Sequence, residues 1–455
     1  MKYTRYPEYK DSGVEWIGEI PEHWMVTKLK FISCISADYG INLSSDNYIN
    51  KGARFIRITD INEDGTLIPD GVYIREDLTK DKVLEKGDLL FARSGSVGTS
   101  YLFNFDDSQK YSFAGYLVRF RLKMEYSPSF VYLFSQSKLF KDQIKMNSIE
   151  TTIENFNGEK YSNLKICLPD TKNQKQIVSS LGKIFTNINS LISKISKMSE
   201  LLKEKRQAII TNAVTKGLDQ NAPMKDSGVE WIGEIPEHWL VKKLKTVSKI
   251  QFSNVDKHSF DGEMPVLLAN YTDVYKNQFI TNEMKFMEAT AKPSEIKKFQ
   301  LEVGDVLVTK DSETTDDIAI PSLVKRTIPN LICGYHLAQI RPRCNELNGS
   351  FLFYLYCSKT FRGKYESEAN GITRFGLSQY SFADTYICLP NLAEQLEISS
   401  FLAAEISKID FLISKQKEMI DRLKEYKESL INQAVTGKID LRGFNFTNNS
   451  NSIQS

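Results

Sequence analysis

Lys10-Asp-Ser-Gly-Val-Glu-Trp-Ile-Gly-Glu-Ile-Pro-Glu-His-Trp24 stands again, letter for letter, from Lys225 to Trp239. Fifteen identical residues in a row are an internal duplication, and a duplication governs every later reading of the chain. A second anchor, Ile166-Cys-Leu-Pro169, recurs as Ile387-Cys-Leu-Pro390. The offset from Lys10 to Lys225 is 215 residues and that from Ile166 to Ile387 is 221. Each half therefore has a fixed entry, a variable body and a fixed exit, and the bodies differ by six residues. Within the entry, Asp-Ser-Gly reads as a turn and Ile-Pro as an extended break. All four tryptophans, Trp16, Trp24, Trp231 and Trp239, fall in its two copies and read as anchors for the bodies. His23 and His238 stand in no carboxylate or cysteine constellation and read as structural or exposed.

After each exit the pattern changes. Ile177, Leu181, Ile184, Ile188, Leu191, Ile195, Met198, Leu202 and Ile209 follow at steps of four and three, with Lys205 interrupting. Ile398, Leu402, Ile409, Leu412, Met419, Leu423, Tyr426 and Leu430 do the same, with Glu405 and Gln416 interrupting. A 3.5-residue period predicts coiled-coil helices. Gly217 and Gly437 are placed to stop them, and Asn391 with Glu394 reads as a capping box. About 44 residues at about 1.5 Å each give a rod of about 65 Å. Residues 171–216 hold nine basic and two acidic side chains, whereas 392–437 hold six and eight. That opposite bias favours pairing of the two rods with each other, antiparallel.

A chain of 455 residues has room for two to four domains. Its 41% hydrophobic and 25% charged residues are an ordinary globular balance. No run of about 18 apolar residues predicts a membrane span, and no apolar stretch follows Met1 as in a secretory signal. Cys34, Cys167, Cys333, Cys344, Cys357 and Cys388 form no CxxC pair, which argues against zinc and for reduced thiols in a cytoplasm. The net charge of +2 speaks against indiscriminate coating of nucleic acid but leaves room for a local basic surface. No P-loop, no dinucleotide fingerprint and no Asn/Asp-Pro-Pro-Tyr methyltransferase motif occurs. No catalytic residue and no metal ligand is therefore expected.

Inside the first body, Ala53-Arg-Phe-Ile-Arg-Ile-Thr59 alternates like a strand. Arg54 and Arg57 would then lie on opposite faces, and Arg57 is a candidate contact residue. In Glu85 to Gly98, Gly87-Asp88 reads as a turn, Leu89 to Ala92 as a strand, and Arg93-Ser94-Gly95-Ser96 as the start of a glycine-rich loop. Gly304 to Ser312 is the second-half equivalent, with Thr309 and Lys310 at its strand end, so Arg93 aligns with Lys310. An arginine beyond a strand end can offer two donors to guanine O6 and N7. A phosphate contact or a local structural pair is the alternative at Arg93. Lys310, a point charge, leans to phosphate. Arg374, in a glycine-flanked loop before a strand, is a further candidate contact residue.

The doubled order of Ile-Pro-Glu-His-Trp, Gly-Asp-Leu-Leu-Phe-Ala-Arg-Ser-Gly-Ser-Val-Gly and Ile-Cys-Leu-Pro, followed by a heptad rod, resembles the specificity subunit of type I restriction-modification enzymes from about residue 10 to 442. The resemblance implies an α+β architecture: two pseudo-symmetric mixed α/β target-recognition lobes separated by two long antiparallel coiled-coil helices. The expected boundaries are 1–170 and 218–390 for the lobes, 171–217 and 391–437 for the helices, and a disordered tail over 438–455. Each lobe would read one half of a bipartite double-stranded DNA target. The helices would set the spacer and hold two methyltransferase subunits, with restriction/motor subunits joining. S-adenosylmethionine, ATP and Mg are implied for those partners and no cofactor for this chain. Two departures are visible. Residues 149–156 lack the family's small-Gly-x-Thr-Arg segment, which the second half keeps at Gly371-Ile-Thr-Arg374, and Asn173-Gln174 replaces the acidic-Gln pair kept at Glu394-Gln395. Two other readings are a two-lobed coiled-coil protein-binding scaffold without DNA recognition and a stand-alone nuclease.

Overall fold

The computed structural model describes residues 4–62, 65–147 and 156–442. The chain divides into two compact units, residues 1–195 with 418–455, and residues 196–417. Each unit is a mixed body of sheet and short helix joined to parts of two long helices, Thr171–Lys216 and Leu392–Val435. The tail after residue 442 and the variant segment 149–155 lie outside the described residues.

In the first unit an antiparallel sheet runs in the order Ser33–Tyr39, Leu117–Leu122, Leu89–Ala92, Ser100–Leu102. A three-stranded sheet beside it centres on Ala53–Ile56, which pairs parallel with Tyr111–Phe113. In the second unit Ser248–Phe252, Leu337–Pro342, Val306–Thr309, Pro321–Val324 and Phe279–Ile280 follow the same plan with one more strand. The central strands of both read as apolar runs because both faces are covered. The strand expected over 53–59 is shorter and fully buried over Ala53–Ile56. It ends where Asp60 accepts the Arg57 N–H at 3.0 Å and starts a 3-10 turn.

The entry repeat packs through one tryptophan per copy. Trp24 and Trp239 are fully buried, edge-on to Phe130 and Phe351, whereas Trp16 is exposed and Trp231 only half-buried. Each copy receives the end of a long helix from its own unit. Gly217 and Gly437 both take a left-handed φ of +75°, the conformation that ends a helix most cheaply in glycine. At Gly437 a Cβ would sit 2.3 Å from Pro21, so the approach itself excludes a side chain. The expected tail does not begin at 438: Ile439 and Leu441 are buried, and the Asp440 N–H donates to Thr4 O at 2.8 Å.

The helices pair antiparallel. In the first unit Ile177, Leu181, Ile184 and Ile188 bury with Leu430, Ile431, Ala434 and Val435. In the second, Ile210, Ala213 and Val214 bury with Ile398, Leu402 and Ile406. Arg206 of one helix meets Asp410 of the other at 2.9 Å, as the charge bias suggested. Ile195, Ile409, Leu202 and Leu423 also face inward, wholly or in part. Leu191 and Leu412 do not: they are 45% and 48% exposed. Ile192 and Ile413 turn inward in their place, followed by Ser199, Arg206, Gln416 and Ile420. The shared positions 188, 195, 202, 209 and 402, 409, 416, 423 were placed correctly. The alternate positions lie one residue further along, because steps of three-then-four and four-then-three share every second member. Leu191, Met198, Leu412 and Met419 are left on the surface.

Candidate nucleic-acid interface

Both candidate strands start at a Gly-Asp turn. The aspartate caps it: Asp88 accepts the Glu85 N–H at 2.9 Å and Asp305 the Glu302 N–H at 3.0 Å. Each buried carboxylate then meets an arginine of the next strand. Arg121 reaches Asp88 at 2.6 and 2.8 Å, and Arg341 reaches Asp305 at 2.7 Å twice. These hydrogen bonds hold both guanidinium groups above the ordinary arginine range, against the opposing effect of burial. Removing Arg341 would strand a buried charge, at a cost of about 3–5 kcal/mol, whereas Asp88 keeps a second cation, Arg119, at 3.7 Å. The sequence reading missed this pair; the signal was Arg121, the fourth residue of Val118-Arg-Phe-Arg121, in a strand apolar but for its two arginines.

With its start fixed, each strand delivers its last residue to one backbone frame. The Arg93 N–H donates to Tyr116 O and its carbonyl accepts from Phe156 N–H. The Lys310 N–H donates to His336 O and its carbonyl accepts from Leu377 N–H. The alignment of Arg93 with Lys310 is thus a structural equivalence. Leu117 pairs with Ala92 as Leu337 pairs with Thr309, so Tyr116 answers to His336 rather than to Tyr335.

Both cations lie over an aromatic ring carried two strands across the sheet. The Arg93 guanidinium is 5.2 Å from the Tyr39 ring centre, and Lys310 Nζ is 5.3 Å from that of Phe252. Val118 pairs with Tyr39 and Ala338 with Phe252, so the rings are equivalent. Such stacking contributes about 0.5–2 kcal/mol and fixes where the cation points.

Beyond that frame the units differ. Arg93 Nε has no hydrogen-bond acceptor among the described residues, and Ser94, Gly95 and Ser96 continue as a surface turn with Gly95 at φ +73°. Lys310 is only 14% exposed and lies 3.3 Å from the Asp311 carboxylate and 4.8 Å from the Tyr335 ring centre. Arg374, 51% exposed, reaches the same carboxylate at 2.8 Å, and His336 Nδ1 reaches it at 2.7 Å. Lys310 and Arg374, separate in sequence, are thereby brought together.

Two candidates are corrected. Thr309 is fully buried; its hydroxyl donates to Asp317 O and accepts from Ile320 N–H, so it braces the strand end from within. Arg57 is bound side-on by Asp60 at 2.7 and 3.2 Å, which raises it above the ordinary arginine range and commits it to the 3-10 turn. Arg54, its supposed opposite, is buried and donates to Ile68 O.

Among the described residues, no three His, Cys, Asp or Glu side chains are grouped to hold a metal, and no helix is long and apolar enough to cross a membrane. Burial pushes the thiols of Cys167, Cys357 and Cys388 up to about 12, which leaves them protonated and inert.

A family described as the type I restriction modification DNA specificity domain matches twice, over residues 21–198 and 236–434. The putative type I restriction enzyme MjaX specificity subunit of Methanocaldococcus jannaschii is 27% identical over 445 residues, 94% of this chain and 96% of that one. The type I restriction enzyme EcoKI specificity subunit of Escherichia coli is 21% identical over 440 residues, 93% and 90% of the two chains. Among solved structures, a chain from work on complex assembly and conformational transition of the type I R-M system superposes with a TM-score of 0.69 at 16% identity, covering 93% of this chain and 99% of its own. The HsdS subunit of Thermoanaerobacter tengcongensis gives 0.53 at 17%, covering 92% and 98%.

Proposed function

The chain belongs to the type I restriction modification DNA specificity family, with two copies of its domain, and from that premise we propose that each unit reads one half of a bipartite double-stranded DNA target. The observation that carries this reading is the duplicated strand end. Two bodies with divergent sequences hold a cation over a ring in the same backbone frame, Arg93 over Tyr39 and Lys310 over Phe252. A frame kept while its chemistry changes suits two readers of different half-sites. Arg93, whose guanidinium stacks on Tyr39 at 5.2 Å, suits direct readout of guanine; Ser94, Gly95 and Ser96 suit close approach to a phosphate. Lys310 and Arg374 form the second unit's contact surface.

The reading assigns 1–170 and 218–390 to target recognition and the two long helices to the joint between them. Apolar side chains exposed on these helices, Leu191 and Met419 in the first unit and Met198 and Leu412 in the second, support docking of protein partners, which we assign to two methyltransferase subunits. Restriction/motor subunits complete the complex. S-adenosylmethionine, ATP and Mg belong to those partners, this chain carries no catalytic residue, and the complex works in the cytoplasm. The test is genome-wide mapping of methylated adenines in cells with and without this chain. A split motif that appears only with the chain supports the reading. Identical methylation in both strains overturns it, and favours a protein-binding scaffold if the partners still assemble.

A further inference from the structure

Asp311 is out of place on a surface meant for DNA. A carboxylate facing phosphates weakens binding through simple repulsion, and the first unit has Ser94 at the equivalent position. Yet Asp311 stands two residues beyond the strand end at Thr309, and its surroundings are built around it. Its backbone pairs with Gly376, so the strand Phe375–Gly376 is laid directly alongside. Gly376 also bridges to Asn370, which closes the loop Asn370–Gly376, in which Gly371 takes φ +152° and Arg374 follows. A Cβ at Gly371 would sit 1.9 Å from the Arg374 carbonyl, so the loop is shaped tightly around that arginine.

The side chain gathers three groups from three segments. Lys310 Nζ lies 3.3 Å from Oδ2, His336 Nδ1 2.7 Å from Oδ1, and Arg374 Nη2 2.8 Å from Oδ1. His336 itself sits at φ +73°, a conformation that non-glycine residues seldom adopt, and its ring packs 4.1 Å from that of Tyr335. Asp311 takes only one nitrogen of the guanidinium. Arg374 Nη1 and Nε have no partner among the described residues and the side chain is half exposed. A long arginine on a glycine-containing loop loses much rotamer freedom on binding. Anchoring one nitrogen in advance removes part of that cost and leaves two donors facing outward.

Resting on the DNA-recognition reading above, we propose that Asp311 is the positioning residue of the second half-site: it aims Arg374 at one guanine and partly offsets the charge of Lys310 and His336, so that their phosphate contact is weakened but kept. Its effects on affinity and on specificity therefore have opposite signs, which a purely structural aspartate would not produce.

The test is Asp311→Asn in the chain assembled with its methyltransferase subunits. Binding is titrated against salt on the cognate duplex and on a random duplex, and methylated sites are mapped. The expected result has three parts: tighter binding to random duplex with a salt slope steeper by about one charge, a cognate preference at least tenfold lower, and a methylation motif relaxed at one position of one half only. Arg374→Ala should relax the same position, and adding Asp311→Asn to it should relax nothing further. Equal weakening on both duplexes with a lowered melting temperature would make Asp311 structural. An unchanged motif would remove it from recognition. If the unaltered complex shows no cognate preference, the DNA-recognition reading itself fails, and that is seen before any variant is made.

Discussion

Replacing Asp170 by Asn together with Asn173 by Glu should stabilise the first unit. In the second unit the buried Trp239 donates its indole N–H to Glu394 Oε1 at 2.9 Å, and His238 lies 2.9 Å from Oε2. The position equivalent to Glu394 is Asn173, whose amide turns away to donate to Asp170 at 2.7 Å. The indole N–H of Trp24, equally buried, has no acceptor among the described residues. A buried donor without a partner costs about 1–3 kcal/mol, and a hydrogen bond to a charged acceptor contributes about 1.5–3 kcal/mol. The single change Asn173→Glu would place a carboxylate against Asp170 and lose the amide hydrogen bond, which cancels much of the gain. The second unit avoids this with Asn391, whose side chain accepts the Glu394 N–H at 3.0 Å. Copying both residues reproduces the neutral cap and the acceptor together.

The expected gain is about 1.5–3 kcal/mol for the double variant. At roughly 2–4 °C per kcal/mol for a unit of this size, its melting rises by about 3–12 °C. Scanning calorimetry measures it, with hydrogen exchange of residues 20–30 to locate it. Glu394→Asn in the second unit is the mirror control and should cost about 1–3 kcal/mol. If the control behaves so while the double variant melts within a degree of the unaltered chain, the Trp24 N–H is not short of an acceptor and the reasoning fails.

Arg93→Ala should relax one position of one half-site at a cost of roughly 1–3 kcal/mol, whereas Lys310→Ala should weaken all duplexes alike and flatten the salt slope; equal losses with no relaxed position would make Arg93 a phosphate contact. Ile192→Ser and Ile413→Ser should each cost about 1–3 kcal/mol, while Leu191→Ser and Leu412→Ser stay within about 0.5 kcal/mol, as read by urea unfolding; the reverse order would restore the heptad phase read from sequence. Exchanging residues 31–165 for a relative's body should change one half of the methylated motif, and a change in both halves would show that the bodies do not read independently. One heptad inserted into each long helix at facing heights adds about 10 Å, or about three base pairs at about 3.4 Å each; retained methylation with an unchanged spacer would show that the helices do not measure DNA.

The doubled plan was legible because identity over fifteen residues needs no physics to detect. The rods were legible as helices but only half in phase, since Leu191 and Ile192 are both apolar and only packing chooses between them. The rings under Arg93 and Lys310 were hidden for a different reason. Counting 215 back from Phe252 arrives at Ala37, not Tyr39, because the first strand carries a bulge in which Ala37 takes φ +56°. A bulge moves a side chain two places in sequence while leaving it in the same place in the sheet. Asp311, inside Gly304 to Ser312, carries no signal of its role in the sequence, because its partners His336 and Arg374 lie 25 and 63 residues away and no local pattern joins them.

What is identical in the two halves is also what does the same mechanical work twice. The Ile-Pro-Glu-His-Trp segment forms the socket into which a long helix ends, with Pro21 and Trp24 against Gly437, and Trp239 against Gly217. In the second unit helix and socket are consecutive in the chain. In the first they come from opposite ends of it, tied by Thr4 with Asp440 and by the Tyr9 hydroxyl donating to Gly437 O at 2.9 Å. One socket thus serves two connectivities, and a change in it would have to suit both. The strand-end cations carry no such double constraint. Arg93 and Lys310 share a backbone frame and an aromatic support, but one faces a neutral serine and the other an aspartate that recruits Arg374. The joints must match because the fold requires it twice; the readers can differ because each meets its own sequence.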